Sequence, residues 1–206
     1  MMNFAKKFLN LLFPQRCLGC KKEDEILCFS CLNKISYPKA SKIKDIFIAG
    51  DYHDPALRKA IWLFKYKGST QLKKPLGEII KKRIWEKFDA QTRNWPIIPI
   101  PLSAQKSRKR GFNQTELVAR EISSNILTNA LAKKAQSKSQ VEVKDRKERL
   151  KNAQGSFRIK DRLSIRGRNI ILLDDVYTTG ATIREARKVL KKAGAKKVIG
   201  IVLAAG

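Results

Sequence analysis

IILLDDVYTTGAT, residues 170–182, joins an apolar run to two adjacent carboxylates, three threonines and a glycine. Residues 168–173 read as a buried strand that ends at Asp174 and Asp175. The loop VYTTGAT then leads into a helix that starts near Ala181. Ile183, Ala186, Val189, Leu190 and Ala193 recur at helical spacing, and Gly194 supplies the stop. KVIGIVL, residues 197–203, is a second strand. Strand–helix–strand in this order implies a parallel pair joined by a right-handed crossover. In an open parallel sheet, ligands bind beyond the carboxyl ends of the strands. A helix N-terminus there presents free N–H groups and the positive end of its dipole, which suits phosphate. Gly180 lets the backbone come close, and Thr178, Thr179 and Thr182 add hydroxyls. Asp174 and Asp175 accept hydrogen bonds from a vicinal diol. A diol and a phosphate one sugar apart describe a ribose 5-phosphate unit. Neither GxxxxGK[ST] nor GxGxxG after a strand is present. The plainer alternative is a polar turn that caps a helix.

Working toward the N-terminus, residues 133–168 are rich in Lys and Arg with few apolar anchors, and read as including an exposed, mobile loop. Asn113 caps a helix with Glu116 three residues on, and Leu117, Val118, Ile122 and Ile126 form its stripe. WPIIPIPLS, residues 95–103, is a short strand leading into a loop, because proline cannot donate to a sheet ladder. Helices are expected over Leu57 to Tyr66 and Leu72 to Phe88, and a strand over Ile46 to Tyr52. Residues 36–44 look like a linker, and residues 3–13 like a short amphipathic helix ended by Pro14. His53, the only histidine, reads as a turn residue.

All four cysteines fall between Cys17 and Cys31, as two CxxC pairs: Cys17 with Cys20, and Cys28 with Cys31. A disulfide scaffold would spread its cysteines through the chain. Two such knuckles close together supply four thiolates in a tetrahedron, which fits a structural Zn²⁺ with no position left open for catalysis. A redox CxxC and an Fe–S cluster are the alternatives. Gly19 eases the first knuckle's turn.

The chain has 206 residues, enough for one α/β domain of about 150 residues and a small module. At 43% hydrophobic it can build a core. Its net charge of +27 fits a phosphate-rich partner such as nucleic acid, a nucleotide-like metabolite or a membrane surface, and equally a lysine-rich composition without a site. The sequence shows no convincing leader and no run of about 18 apolar residues, so a cytoplasmic protein without a membrane span is expected.

IILLDDVYTTGAT resembles the 5-phosphoribosyl-1-pyrophosphate (PRPP) signature of type I phosphoribosyltransferases, with Tyr177 where many members carry a small or aliphatic residue, a departure expected to leave the phosphate contacts untouched. Four further elements precede it: the four-cysteine module, LFKYKG (63–68), PIPLSAQKSRKRGFNQ (99–114) and the spacing Arg146, Arg149, Asn152, Gly155, Phe157. Together they resemble the ComF family of competence proteins and its GntX-type relatives, over nearly the whole chain.

The resemblance implies a zinc-binding module over residues 1–40 and a Rossmann-like α/β phosphoribosyltransferase domain with a parallel sheet over 41–206. It implies that Asp174 and Asp175 hold the ribose hydroxyls, and that Thr178, Thr179, Gly180, Ala181 and Thr182 hold the 5-phosphate. Ser103, Lys106, Arg108, Lys109 and Arg110 fall where such enzymes carry a pyrophosphate loop. Lys144, Arg146 and Arg149 fall where a flexible loop closes over the site. Mg²⁺ accompanies PRPP. The family's link to DNA uptake opens a second expectation, an adaptor that binds single-stranded DNA and competence-machinery proteins. Trp62, Tyr66, Trp85 and Trp95 would be available for stacking, or would sit in the core.

Overall fold

The computed structural model describes residues 15–38, 43–134 and 153–206. The expected helix over residues 3–13 and the loop residues Lys144, Arg146 and Arg149 lie outside them. In chain order the elements are α1 (Phe29–Lys34), β1 (Ile46–Asp51), α2 (Pro55–Tyr66), α3 (Lys73–Arg83), α4 (Ala90–Arg93), β2 (Ile97–Pro99), α5 (Ala104–Arg110), α6 (Gln114–Ile122), β3 (Leu131–Lys133), β4 (Phe157–Ile159), β5 (Asn169–Tyr177), α7 (Ala181–Lys192) and β6 (Lys197–Ala205).

Four strands form a parallel sheet in the order β1-β6-β5-β2, and β3 and β4 form a separate antiparallel pair. The side-chain period of two sorts the sheet into two cores. Ile97, Ile171, Leu173, Ile199, Ile201 and Leu203 face the helical side, with Leu57, Phe64, Ile79, Ile80 and Val118 of α2, α3 and α6. Ile98, Ile170, Leu172 and Val198 face the other side, with Ala186 and Leu190 of α7 and Leu131 and Phe157 of the hairpin. Runs such as IILL are apolar throughout because both faces are covered.

The edge strand β2 shows why its prolines are tolerated. Ile100 N–H donates inward to Leu173 O, and Ile171 N–H to Pro96 O. Ile97 instead uses the outer side, donating to Asn125 O and accepting from Leu127 N–H. Pro99 shares the outward orientation of Ile97, so its missing N–H is on the edge, where no strand needs it.

Several expectations change. The strand 168–173 does not stop at the aspartates. It runs on as β5 to Tyr177, paired with β6 through Asp174↔Val202 and Tyr177↔Ala205. β2 stops at the Pro99↔Leu173 pair, so Asp174 and Asp175 overshoot it and border a crevice. The helix expected over 72–88 breaks at Ile84 (φ −129°), and a 3₁₀ turn at Trp85–Lys87 brings Trp85 and Phe88 against the core. α6 ends at Ile122, and Ile126 bridges to Ile97. Residues 135–152 of the basic stretch lie outside the described residues; in its described part Phe157 and Ile165 are buried, since a few apolar anchors suffice to fasten a charged segment. Residues 36–38 of the expected linker are tied to the domain. Asp51 N–H donates to Ser36 O, and Ser36 N–H to Asp54 Oδ2. The Arg83 guanidinium donates to Ile35 O and Ala49 O and lies over the Tyr37 ring. His53 is an exposed turn residue whose N–H and Nδ1 meet Asp51 Oδ1.

Candidate functional site

Because neighbouring strand residues point to opposite faces, continuing β5 past Leu173 parts the two carboxylates. Asp175 shares the face of Ile171 and Leu173, which is the side of α2 and α6. Asp174 shares the face of Ile170 and Leu172, which is the side of the hairpin. With Lys65, Gln114 and Thr115 they border a small void that runs back into the apolar core at Ile61, Ile80, Val118 and Leu203.

Two short motifs build the Asp175 side. In LFKYKG, Phe64 is buried in the core, Lys65 reaches Asp175 Oδ1 at 2.8 Å, and Lys67 caps α2 with its ammonium 5.6 Å from the Trp62 ring. In the RGFNQ element, Arg110 lies over the Tyr66 ring and donates to Gln114 Oε1. Gly111 ends α5 in the left-handed region (φ +78°). Phe112 packs on Phe64 with centroids 5.6 Å apart. Asn113 caps α6 by accepting from Thr115 N–H, while its amide and the Thr115 hydroxyl both donate to Ile100 O. Gln114, buried at the first position of α6, donates to Asp175 Oδ2 at 2.6 Å. Since Gln114 Oε1 accepts from Arg110, its NH₂ is the end that faces the carboxylate.

The electrostatics of the two acids diverge. Burial raises the Asp174 carboxyl, Asp175 beside it raises it further, and it reaches about 7. Burial pushes Asp175 the same way, but Lys65, Gln114 and Arg110 outweigh it and hold the carboxyl below its ordinary value. Burial disfavours the Lys65 ammonium, yet Asp175 more than offsets this and raises its pKa. On the other side, Lys133 at the end of β3 is lowered by burial and then by Lys106, while Asp174 pulls the opposite way. Lys133 is therefore the lysine of this side that acts on Asp174.

At the end of β5 only Thr178, Thr179 and Gly180 separate strand from helix. Ala181 N–H donates to Thr179 Oγ1 at 3.3 Å, and Arg184 donates to Thr179 O. Gly180 has φ +70°, and a Cβ there would lie 2.2 Å from the Tyr177 hydroxyl. Contrary to the expectation from the sequence, the departure at Tyr177 therefore does not leave this loop untouched: its ring lies against Gly180, because β5 runs on to Tyr177. PLSAQKSRKRG is not an open loop: Ser103 caps the seven-residue α5, which presents Lys106, Arg108 and Lys109 to solvent. Arg110 turns back toward Gln114. Gly155 N–H donates to Glu185 of α7, which fastens the described end of the Arg-Arg-Asn-Gly-Phe spacing beside the loop.

Sequence reasoning missed Lys65, Gln114 and Lys133. The first two lay inside motifs already singled out, but only long-range contacts connect them to Asp175. Lys133 was indistinguishable from the other lysines of a basic stretch.

The four cysteine sulfurs lie within 4.8 Å of one another. Zn–S bonds of about 2.3 Å in a tetrahedron require S···S separations of about 3.8 Å. Cys20 and Cys28 are 3.6 Å apart, so the donor set fits a metal ion. At Cys17 burial opposes the thiolate, but the N–H groups of Cys28, Cys20 and Gly19 prevail and lower it to about 6. Cys31 is pushed up to about 12, by burial and then by the neighbouring sulfurs. Gly19 serves more than the turn: a Cβ there would meet Cys31 Sγ at 2.6 Å. Leu27, Leu32 and Ile35 of this module share the core of α2 and α3.

This α/β fold, with paired acids on a parallel strand that runs past its edge neighbour and on into a loop–helix turn, is that of a type I phosphoribosyltransferase. The phosphoribosyl transferase domain family matches residues 71–206. Competence protein F of Haemophilus influenzae is 26% identical over 88% of this chain and 86% of its own length. Competence protein ComFC of Bacillus subtilis is 28% identical over 91% of this chain and 88% of its own length. The DNA utilization protein YhgH of Escherichia coli is 34% identical over 50% of this chain and 45% of its own. The chain belongs to the phosphoribosyltransferase-domain family and, within it, to the ComF family of competence proteins. Among solved structures, a phosphoribosyltransferase from Corynebacterium diphtheriae is similar at TM-score 0.38 and 18% identity, over 70% of this chain and 73% of that one. A hypoxanthine phosphoribosyltransferase from Trypanosoma cruzi gives TM-score 0.41 and 13% identity, over 65% and 67%. Among the described residues, no helix is long and apolar enough to cross a membrane.

Proposed function

We propose that the chain binds Mg²⁺-PRPP, or a related ribose 5-phosphate, at the carboxyl end of β5, and transfers the phosphoribosyl group to an acceptor in the handling of incoming DNA. The observation that carries this reading is the pair Asp174–Asp175, overshooting the edge strand and followed at once by Thr178, Thr179 and Gly180 at the start of α7. The carboxylates accept from the ribose hydroxyls, while Thr178, Thr179, Thr182 and the N–H groups of Gly180 and Ala181 hold the 5-phosphate. Ser103, Lys106, Arg108 and Lys109 provide donors and positive charge for the pyrophosphate. Mg²⁺ bound with PRPP would supply positive charge against the pyrophosphate leaving group. Displacement at C1′ passes through an oxocarbenium-like state, so the chain contributes chiefly positioning, electrostatics and exclusion of water. No side chain becomes a covalent nucleophile.

Residues 1–40 form a module around a structural Zn²⁺ held by Cys17, Cys20, Cys28 and Cys31, attached to a domain over 41–206. Metal analysis should find about one zinc per chain.

A second reading, a single-stranded DNA adaptor that uses the core as a nucleotide or PRPP sensor, is favoured by one observation. Trp62 and Tyr66 are exposed on successive turns of α2, 6.1 Å apart, with Lys67 and Arg110 beside them. Trp85 and Trp95, by contrast, pack against the core.

The deciding experiment is calorimetry with Mg²⁺-PRPP on the wild type and the Asp174→Asn/Asp175→Asn double variant, with pyrophosphate release assayed across bases, nucleotides and amines. Binding lost in the double variant and release with one acceptor are expected. Binding without release, together with single-stranded DNA affinity that falls steeply with salt, selects the adaptor.

A further inference from the structure

LFKYKG and RGFNQ lie far apart in sequence, yet each sends one polar side chain to the same carboxylate. Lys65 takes Asp175 Oδ1 and Gln114 takes Oδ2. Arg110 fixes the orientation of Gln114 and is itself stacked over Tyr66, the neighbour of Lys65. The result is a closed chain of contacts, Tyr66–Arg110–Gln114–Asp175–Lys65, that returns to α2. Asp174 has a different set: its carboxylate oxygen accepts from Asp175 N–H, and Lys133 of the hairpin acts on it.

We infer that Lys65 and Gln114 are positioning residues that fix the Asp175 carboxylate so that it reads the ribose diol. This inference rests on the ribose-phosphate reading above. A carboxylate offers about four lone-pair sites on its two oxygens. Lys65 and Gln114 each use one, on different oxygens, and leave one on each for the sugar. The carboxylate is held at both ends and cannot rotate to satisfy itself elsewhere. A sugar that lacks one hydroxyl then leaves a buried acceptor unmatched, and sites of this kind reject such analogues strongly. Without the two supports, Asp175 would be free to turn and take up water, and the distinction between a diol and a single hydroxyl would fade. Arg110, placed by the resemblance among the pyrophosphate donors, is on this geometry the outer support of Gln114.

The test measures affinities for ribose 5-phosphate and 2-deoxyribose 5-phosphate in the wild type, Lys65→Met, Gln114→Leu and Lys65→Arg, with thermal melting as a check on folding. The wild type should prefer the diol sugar. Lys65→Met and Gln114→Leu should each reduce that preference about tenfold, the equivalent of one hydrogen bond to a charged group, and Lys65→Arg should restore most of it. A merely structural role would weaken both sugars together and leave the ratio unchanged. That result overturns the inference and leaves the ribose-phosphate reading intact. A wild type that binds both sugars equally overturns this inference alone, and one that binds neither removes the ribose-phosphate reading and this inference with it. Should Lys65→Met melt far below the wild type, Gln114→Leu alone decides, because Gln114 carries no charge whose loss strands a buried ion.

Discussion

Asp174 and Asp175 are covalent neighbours with opposite surroundings. Asp175 faces the helical side, where Lys65 and Gln114 occupy both of its oxygens and keep it ionised. Asp174 faces the hairpin side, where burial and the adjacent charge raise its carboxyl to about 7. The difference has one cause, the alternation of a strand that does not end where its apolar run ends. Two identical side chains thus become a pre-fixed acceptor and a group poised near neutrality, a separation typical of sites that use paired carboxylates. For a diol ligand the consequence is asymmetric: Asp175 is already organised, and Asp174 must be ionised or share its proton when the sugar binds.

The largest expected effect tests that asymmetry directly. Asp175→Asn removes the organised acceptor and leaves Lys65 facing an amide, so Mg²⁺-PRPP affinity by calorimetry should fall by about 100-fold or more. Asp174→Asn should cost less, about tenfold at pH 7, because the wild-type residue there is already part protonated. Equal losses would remove the distinction between the two acids.

Stability should move in opposite directions. Asp174 has a raised folded pKa, so the folded state binds its proton more tightly than the unfolded state. Its charge therefore destabilises the fold progressively from about pH 4 to pH 7, and fully above that. Asp174→Asn should raise Tm at pH 8, by about 2 kcal/mol of stability, with the gain gone by pH 4. Asp175 has a depressed folded pKa, so its stabilisation is present above the ordinary carboxylate range and is lost as pH falls through the folded value. Asp175→Asn should lower Tm at pH 8, by about 2–3 kcal/mol for a broken, largely buried ion pair. Melting curves of both variants at pH 4 and pH 8 check the signs.

Gly180→Ala should destabilise by about 1–2 kcal/mol, from the left-handed backbone together with the clash against Tyr177. Adding Tyr177→Ala should recover the steric part and leave the backbone part, as read by urea unfolding. The smallest effect is expected for Lys133→Gln. Its charge acts on Asp174 without a direct ion pair among the described residues, so Mg²⁺-PRPP affinity should fall only about threefold. A loss as large as that of Asp175→Asn would shift the weight of the site to the hairpin side.

How much of this was legible in the sequence depends on the range of the interaction. The strand–helix–strand unit, the cap at Asn113 and the two cysteine knuckles rest on local spacing, and they are found where the residues indicate. The end of β5 was misplaced, because a strand whose partner β6 runs alongside can carry polar residues that periodicity assigns to a loop. The break at Ile84 and the buried Ile165 were likewise invisible, since both follow from what packs against them.

The sequence by itself determined the class of the protein. A parallel strand–helix–strand unit, paired acids, a threonine- and glycine-bearing turn, and four clustered cysteines are patterns within a few tens of residues, and each follows from local geometry or ligand valence. Only the tertiary structure decided which acid does what. Lys65, Gln114 and Lys133 come to the end of β5 from elements 40 to 110 residues away in the chain, and the strand's pleat sends them to different faces. Electrostatic fields fall off with distance in space, not with distance along the chain, so the division of labour between two adjacent aspartates becomes visible only once the chain is folded.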